Sequence, residues 1–224
     1  MQVIPRPPSW QLADPAHWVR ESPHPLSTSE VIHAVQRISA RPPLIDLDDV
    51  NARPSAVAVV LSDGPNGAEV LLTRRAQRLR NHAGEISFPG GRMDPGETPQ
   101  QTALREAAEE VDLHPTAVAI RGQLSPLSTF VSRSYIVPVV AELSTDQRPL
   151  LRAAANEVER ILWVPLADLA RADTYRHERW PIQTEELSFY FFELDDETIW
   201  GATGRILHQL LDIAYGPPAT LTAL

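Results

Sequence analysis

Residues 91–113 read Gly-Arg-Met-Asp-Pro-Gly-Glu-Thr-Pro-Gln-Gln-Thr-Ala-Leu-Arg-Glu-Ala-Ala-Glu-Glu-Val-Asp-Leu. The second half spaces Glu106, Glu109 and Glu110 at i, i+3 and i+4. On a helix turning by about 100° per residue, those three carboxylates share one face. Like charges at that spacing repel, so a cation is expected against them. Carboxylate oxygens are hard ligands, which points to Mg²⁺ or Mn²⁺. Ala103, Leu104, Ala107, Ala108 and Val111 form the opposite, apolar stripe of a buried helix face. Thr98 is placed to cap the helix, with Pro99 at the first helical position, where its missing N–H costs nothing. Gly90, Gly91 and Gly96 lie in a turn-rich entry loop and let a ligand approach the backbone closely. Arg105, four residues before Glu109, is set to orient that carboxylate. A run of glutamates is more often a solvated helix face. Here the glycine-rich entry loop and the apolar back face argue for a built site.

Composition narrows the classes. A chain of 224 residues suits one α/β domain with additions and is short for two. A net charge of −9 and a pI of about 5.2 speak against a general nucleic-acid binder. The absence of cysteine excludes disulfides, thiol catalysis and cysteine-based zinc sites. No apolar run approaches the ~20 residues of a membrane span. The segment Met1–Pro8 lacks the apolar core of a secretory signal, and the C-terminal Leu-Thr-Ala-Leu is not a peroxisomal tripeptide. The expectation is a soluble cytoplasmic protein acting on a small molecule, with no nucleic-acid or membrane partner.

Along the chain, residues 1–26 are proline-rich and read as an arm, laid over the domain or partly disordered, and as a candidate homodimer contact. Residues 27–216 form the domain, and 217–224 a tail. A helix is predicted over 27–40, with Ser27 and Glu30 as a capping box and Val31, Ile32, Val35 and Ile38 as its apolar positions. Pro42-Pro43 stops it. Strands 55–61 and 69–73 flank Asp63-Gly64-Pro65-Asn66-Gly67 as a hairpin with a longer loop. Further strands are predicted at 85–88, 117–124, 134–143, 158–163 and 187–194, a short helix at 165–170, and a closing helix at 203–215. That order predicts an α/β fold, a mixed sheet between helical layers.

A second motif runs into the first. Leu71-Leu72-Thr73-Arg74-Arg75-Ala76-Gln77-Arg78-Leu79-Arg80-Asn81-His82 leads through Gly84 to Phe88-Pro89-Gly90-Gly91. It brings five cationic or titratable side chains, Arg74, Arg75, Arg78, Arg80 and His82, to the approach of a carboxylate site in an acidic chain. A local cationic loop of this kind suits a ligand with several phosphates. The plainer reading is a strand ending in a solvated arginine loop.

The 91–113 stretch resembles the Nudix box. Gly91, Glu97, Arg105, Glu106, Glu109, Glu110 and Leu113 match at the required spacings. Ala107 is a small occupant of a hydrophobic position, and Asp112 replaces the glycine after Glu-Glu, where the helix end wants a positive φ. The 71–91 run resembles the motif of the coenzyme A pyrophosphatases within that superfamily, through Leu71, Leu72, Thr73, Arg75, Ala76, Arg80, Gly84, Phe88, Pro89, Gly90 and Gly91. Looser likeness extends the resemblance over about residues 28–215. It implies the Nudix α/β/α sandwich, with Glu106, Glu109 and Glu110 as metal ligands supported by Glu97 and Arg105. Glu157, in Asn156-Glu157-Val158, falls where related enzymes often place a residue reaching the metal; the alternative is an exposed strand-edge glutamate. Arg75, Arg80 and His82, with Gly90 and Gly91, would hold the substrate. The implied reaction is Mg²⁺- or Mn²⁺-dependent hydrolysis of the coenzyme A diphosphate, free, oxidised or acylated, to 4′-phosphopantetheine and adenosine 3′,5′-bisphosphate. The alternatives are another nucleoside diphosphate derivative such as ADP-ribose, or a non-catalytic sensor of CoA or nucleotides.

Overall fold

Alternation along one strand decides the layers. In β2 (Arg53–Gly64), Ala56, Ala58 and Val60 face one helix, whereas Val59 and Leu61 face the other helical layer. A computed structural model describes residues 4–39, 52–79, 82–129, 133–182 and 184–216. In it β2 is central to an eight-stranded mixed sheet. It pairs antiparallel with β3 (Gly67–Arg75) and β5 (Gly90–Arg92), and parallel with β8 (Ser134–Leu143). The strands β4 (Ile86–Ser87), β6 (Val118–Gln123), β7 (Leu127–Ser128) and β9 (Val158–Pro165) complete the sheet. One face carries α2 (Pro99–Val111), whose Ala103 and Ala107 meet Ala56 and Ala58. Small residues on both sides let helix and sheet approach closely. The other face carries α1 (Thr28–Ser39) and α4 (Gly201–Tyr215), and α3 (Leu166–Leu169) follows β9. The result is the expected mixed sheet between helical layers.

α1 starts as its sequence prescribes. The Ser27 N–H donates to Glu30 Oε2 at 2.8 Å, and the Glu30 N–H donates back to Ser27 Oγ at 3.3 Å. Val31, Ile32 and Val35 are buried, but Ile38, in the last turn, is exposed. The β2–β3 connection is tighter than expected. The strands run to Gly64 and Gly67 and leave a two-residue turn, with Gly67 at φ +93°. The Pro42-Pro43 stop and the 217–224 tail lie outside the described residues.

A second, four-stranded antiparallel sheet was not expected. It contains β1 (Gln11–Leu12), β10 (Tyr175–Ile182), β11 (Glu185–Glu193) and β12 (Thr198–Ile199), in the order β1-β10-β11-β12. Strand β10 escapes sequence reading because charged residues occupy its inward positions. Glu178 is fully buried. It accepts from Arg6 Nε at 2.9 Å, Arg176 Nε at 2.7 Å and Trp180 Nε1 at 2.8 Å, so its charge is compensated.

Arg6 belongs to the N-terminal arm, whose described residues lie along this sheet. The Ala13 N–H donates to the His177 carbonyl at 2.9 Å, and Ala68 N–H donates to Leu26 O at 2.6 Å. Trp18 is 1% exposed and meets Tyr175 edge-on, with ring centroids 4.8 Å apart. The indole thus sits in the same core as the buried faces of α1 and α4.

Candidate active site

At one end of the large sheet, β2, β8 and β9 begin, β3 ends and β5 crosses, so loops gather there beneath α2. The helix is fixed at both ends by its own sequence. Thr98 Oγ1 accepts from the Gln101 N–H at 3.3 Å, and the Gln101 side chain accepts from the Thr98 N–H at 2.8 Å. At the far end Asp112 adopts φ +57°, the left-handed cap expected where the motif prefers glycine. Two remaining helix carbonyls are taken by the loop that leads into β9: Arg152 N–H donates to Val111 O at 3.0 Å, and Ala154 N–H to Glu110 O at 2.9 Å. That loop carries Glu157, so the end of α2 places a carboxylate supplied from outside the helix.

The glutamates of α2 occupy distinct environments. Glu110 is 3% exposed, accepts from the Gly90 N–H at 3.3 Å and lies 3.9 Å from Arg75 Nη1. Burial pushes its pKa up to about 7, against the pull of Arg75 and the Gly90 amide. Glu106 is raised in the same direction, again chiefly by burial, while Arg105 opposes the shift. Its carboxylate lies over Gly91, where a Cβ would fall 2.3 Å from Oε1. Glu109 is exposed and lies 3.4 Å from Arg105. Glu157 is exposed too, yet its charge acts on both Glu106 and Glu110, which puts it in the same electrostatic patch.

Arg105 does more than the expected i,i+4 contact. Its Nε donates to Glu97 Oε1 at 2.8 Å, Nη2 donates to Glu97 Oε2 at 3.1 Å and to the Arg92 carbonyl at 3.0 Å, and Nη1 donates to Glu106 at 2.8 Å. Glu97 also accepts from Thr102 Oγ1 at 2.7 Å and the Asp94 N–H at 3.0 Å. These donors, Arg105 first, hold the Glu97 carboxyl down at about 2. Arg105 and Glu97 thus join the entry loop to α2. Among the described residues, no three His, Asp or Glu side chains are grouped as they would be around a bound ion; the Glu106 carboxylate is turned to Arg105.

The second motif divides between the two faces of the sheet. Arg75 faces α2 and Glu110, whereas Arg74 faces away, 3.1 Å from Glu197 and 3.8 Å from Glu159. The β3–β9 register shifts between Arg74 and Arg75, so that Arg74 opposes Arg160 and Arg75 opposes Val158. This bulge turns Glu159 to the Arg74 side. Arg78 donates to the Ala155 carbonyl, in the loop that carries Glu157. His82, at φ +56°, lies 2.8 Å from Glu85 Oε2 and is not described in contact with the α2 glutamates. Arg80 lies outside the described residues. Thr102 and the Gly90 N–H went unread in the sequence. Thr102 lies one turn before Glu106, on the face of α2 that carries the glutamates.

The arrangement can hold an anion beside Arg75 and the glycine loop, and it presents a negative patch to a cation. Comparison with known proteins gives the family. The NUDIX domain model matches residues 52–184, more than half of the chain. An uncharacterized Nudix hydrolase, NudL, of Photorhabdus laumondii is 36% identical over 83% of this chain and 96% of its own length. Nudix hydrolase 3 of Caenorhabditis elegans is 32% identical over 78% of each chain. The crystal structure of RenU, a Nudix hydrolase from M. smegmatis, superposes with a TM-score of 0.44 at 25% identity, over 53% of this chain and 73% of that one. The chain belongs to the Nudix hydrolase family.

Proposed function

We propose that this protein hydrolyses the diphosphate bond of coenzyme A, free, oxidised or acylated, in a divalent-metal-dependent reaction, releasing adenosine 3′,5′-bisphosphate and 4′-phosphopantetheine or its oxidised or acylated form. The observation that carries this reading is the contact between Arg75 and Glu110. It joins the upstream motif, which resembles that of the CoA pyrophosphatases, to the glutamate helix in one site.

The oxygen chemistry of the donor set suits Mg²⁺ or Mn²⁺, with the side chains not grouped around one ion position among the described residues. Glu106, Glu110 and Glu157 repel one another across a partly buried patch, their oxygens are hard, and Gly91 leaves the Glu106 carboxylate the room a Cβ would fill. Glu109 joins them by its place on the helix. A divalent ion held there would neutralise phosphate charge and acidify water. The chain's own residues do the positioning. Arg105 and Glu97 fix the Glu106 carboxylate and the entry loop. The Arg75 guanidinium, with Arg80 and His82 of the same motif, meets phosphate oxygens, and Gly90 and Gly91 let the diphosphate approach the backbone. Glu157, whose charge bears on both Glu106 and Glu110, is assigned the role of accepting a proton from water. The water oxygen bonds to phosphorus, and the bridging oxygen departs with the other phosphate.

The test is to incubate the protein with CoA and Mg²⁺ or Mn²⁺, with and without EDTA, and to identify products by mass. Both products appear only with metal. Glu106→Gln and Glu110→Gln lower kcat by orders of magnitude with the fold retained, and Glu157→Gln lowers it as well. Intact CoA alongside consumed ADP-ribose would leave the family and discard the substrate. CoA binding with no turnover under either metal would point to a sensor.

A further inference from the structure

The loop that leads into β9 and carries Glu157 is clamped from two sides. On one side the carbonyls of Val111 and Glu110, at the end of α2, accept from the Arg152 and Ala154 amides at 3.0 and 2.9 Å. On the other side the segment after β3, part of the cationic motif, reaches across. The Ala76 N–H donates to the Glu157 carbonyl at 2.8 Å, and Arg78 donates through Nη2 to the Ala155 carbonyl. The Leu79 N–H donates to the Ala76 carbonyl at 3.1 Å, a turn that sets Arg78 between two backbone anchors.

Residues 155–157 are exposed, so burial contributes little to fixing them and hydrogen bonds must do it. The turn is built on one acceptor: the Glu157 and Val158 amides both donate to the Ala154 carbonyl, at 2.9 and 2.8 Å. Asn156 Nδ2 donates to Glu157 Oε1 at 3.2 Å and orients the carboxylate. Against this, Glu157 carries the same charge as Glu106 and Glu110, and repulsion across the patch drives the turn outward. A hydrogen bond from a guanidinium is stronger than one from a neutral donor, and the positive charge of Arg78 offsets part of that repulsion. Arg78 is itself exposed, so what it contributes is this contact and not core packing.

We propose that Arg78 is a positioning residue: by holding the 155–157 turn it keeps Glu157 beside the α2 glutamates, and it sets the rate of hydrolysis without touching the substrate. This rests on the reading of the site as a diphosphate hydrolase in which Glu157 takes a proton from water. It separates Arg78 from Arg75 within one cationic motif. Arg75 points to Glu110 and to the place of the phosphates, whereas Arg78 is turned to the neighbouring loop.

The test measures kcat and KM for CoA with saturating Mn²⁺ in wild type, Arg78→Ala, Arg78→Lys, Glu157→Gln and the double variant Arg78→Ala/Glu157→Gln. Arg78→Ala lowers kcat by about tenfold, as loss of one charge-assisted hydrogen bond does, and leaves KM unchanged. Arg78→Lys recovers part of the loss, because an ammonium still donates to the Ala155 carbonyl. In the Glu157→Gln background, removing Arg78 has no further effect on kcat. A raised KM with unchanged kcat would make Arg78 a phosphate ligand and overturn the proposal, as would an equal loss of kcat in both backgrounds. Hydrogen exchange reads the clamp without turnover: the Glu157 and Val158 amides exchange faster in Arg78→Ala than in wild type. Unchanged exchange there, or faster exchange with wild-type kcat, also overturns it. If wild type leaves CoA intact and consumes ADP-ribose, the substrate reading alone falls, and the same comparison on ADP-ribose decides the role of Arg78.

Discussion

Gly91 and Glu106 occupy mutually exclusive space: a Cβ on the glycine would lie 2.3 Å from Glu106 Oε1 and 2.4 Å from its carboxyl carbon. The requirement for glycine comes from that contact and not from backbone conformation, since Gly91 is not among the positive-φ glycines. Gly91→Ala therefore displaces the Glu106 carboxylate. Misplacing a reacting group by about 1 Å costs on the order of 100-fold in rate, so kcat should fall by about that factor. Circular dichroism and thermal melting should show a folded protein. Wild-type kcat in Gly91→Ala would remove Glu106 from the site.

Arg105 spans the entry loop and the helix through five acceptors, which a lysine cannot reproduce because it lacks the planar fork. Arg105→Lys should lower kcat or the apparent Mg²⁺ affinity about 10–100-fold, the range seen when residues orienting metal ligands are lost. A metal titration of activity separates the two. The charge is kept, so a full effect would show that geometry matters more than charge here.

Trp18 ties the N-terminal arm into the core at 1% exposure. Trp18→Ala should destabilise the protein by about 3–5 kcal/mol, as large-to-small changes at buried aromatics do. Urea denaturation measures this. A loss below about 1 kcal/mol would mean that the arm is dispensable, and truncation before Ser27 would then be tolerated.

His208 gives the fold an acid-sensitive element. Its ring stacks on Tyr190 with centroids 3.8 Å apart, and its Nδ1 lies 3.1 Å from the Tyr175 hydroxyl. Burial holds its pKa down at about 4, below the usual 6.5, with His177 and His17 adding to the shift and Asp212 opposing it. The unfolded chain then binds more protons between those values. Stability is fully present above about pH 6.5 and is lost as pH falls towards 4. Thermal melts from pH 7 to 4.5 should show a shallower decline in His208→Gln than in wild type.

Local sequence determined a good deal of this protein. The caps of α1 and α2, the left-handed Asp112 and the shared helix face of the glutamates follow from spacing and side-chain chemistry over at most a few turns. The mixed sheet between helical layers followed from the order of such segments. Tertiary structure decided what depends on distant residues. Strand β10 was illegible because the buried Glu178 is compensated in part by Arg6, 172 positions away, which joins Arg176 and Trp180 on its carboxylate. The two faces of Arg74 and Arg75 were likewise undetermined until β9 paired with β3 and a bulge set which carboxylate each arginine meets. Glu157 reaches the patch only because its loop satisfies the last carbonyls of α2. Sequence periodicity carries the interactions of neighbours along the chain; charge compensation between strands far apart in sequence is settled only when they pack.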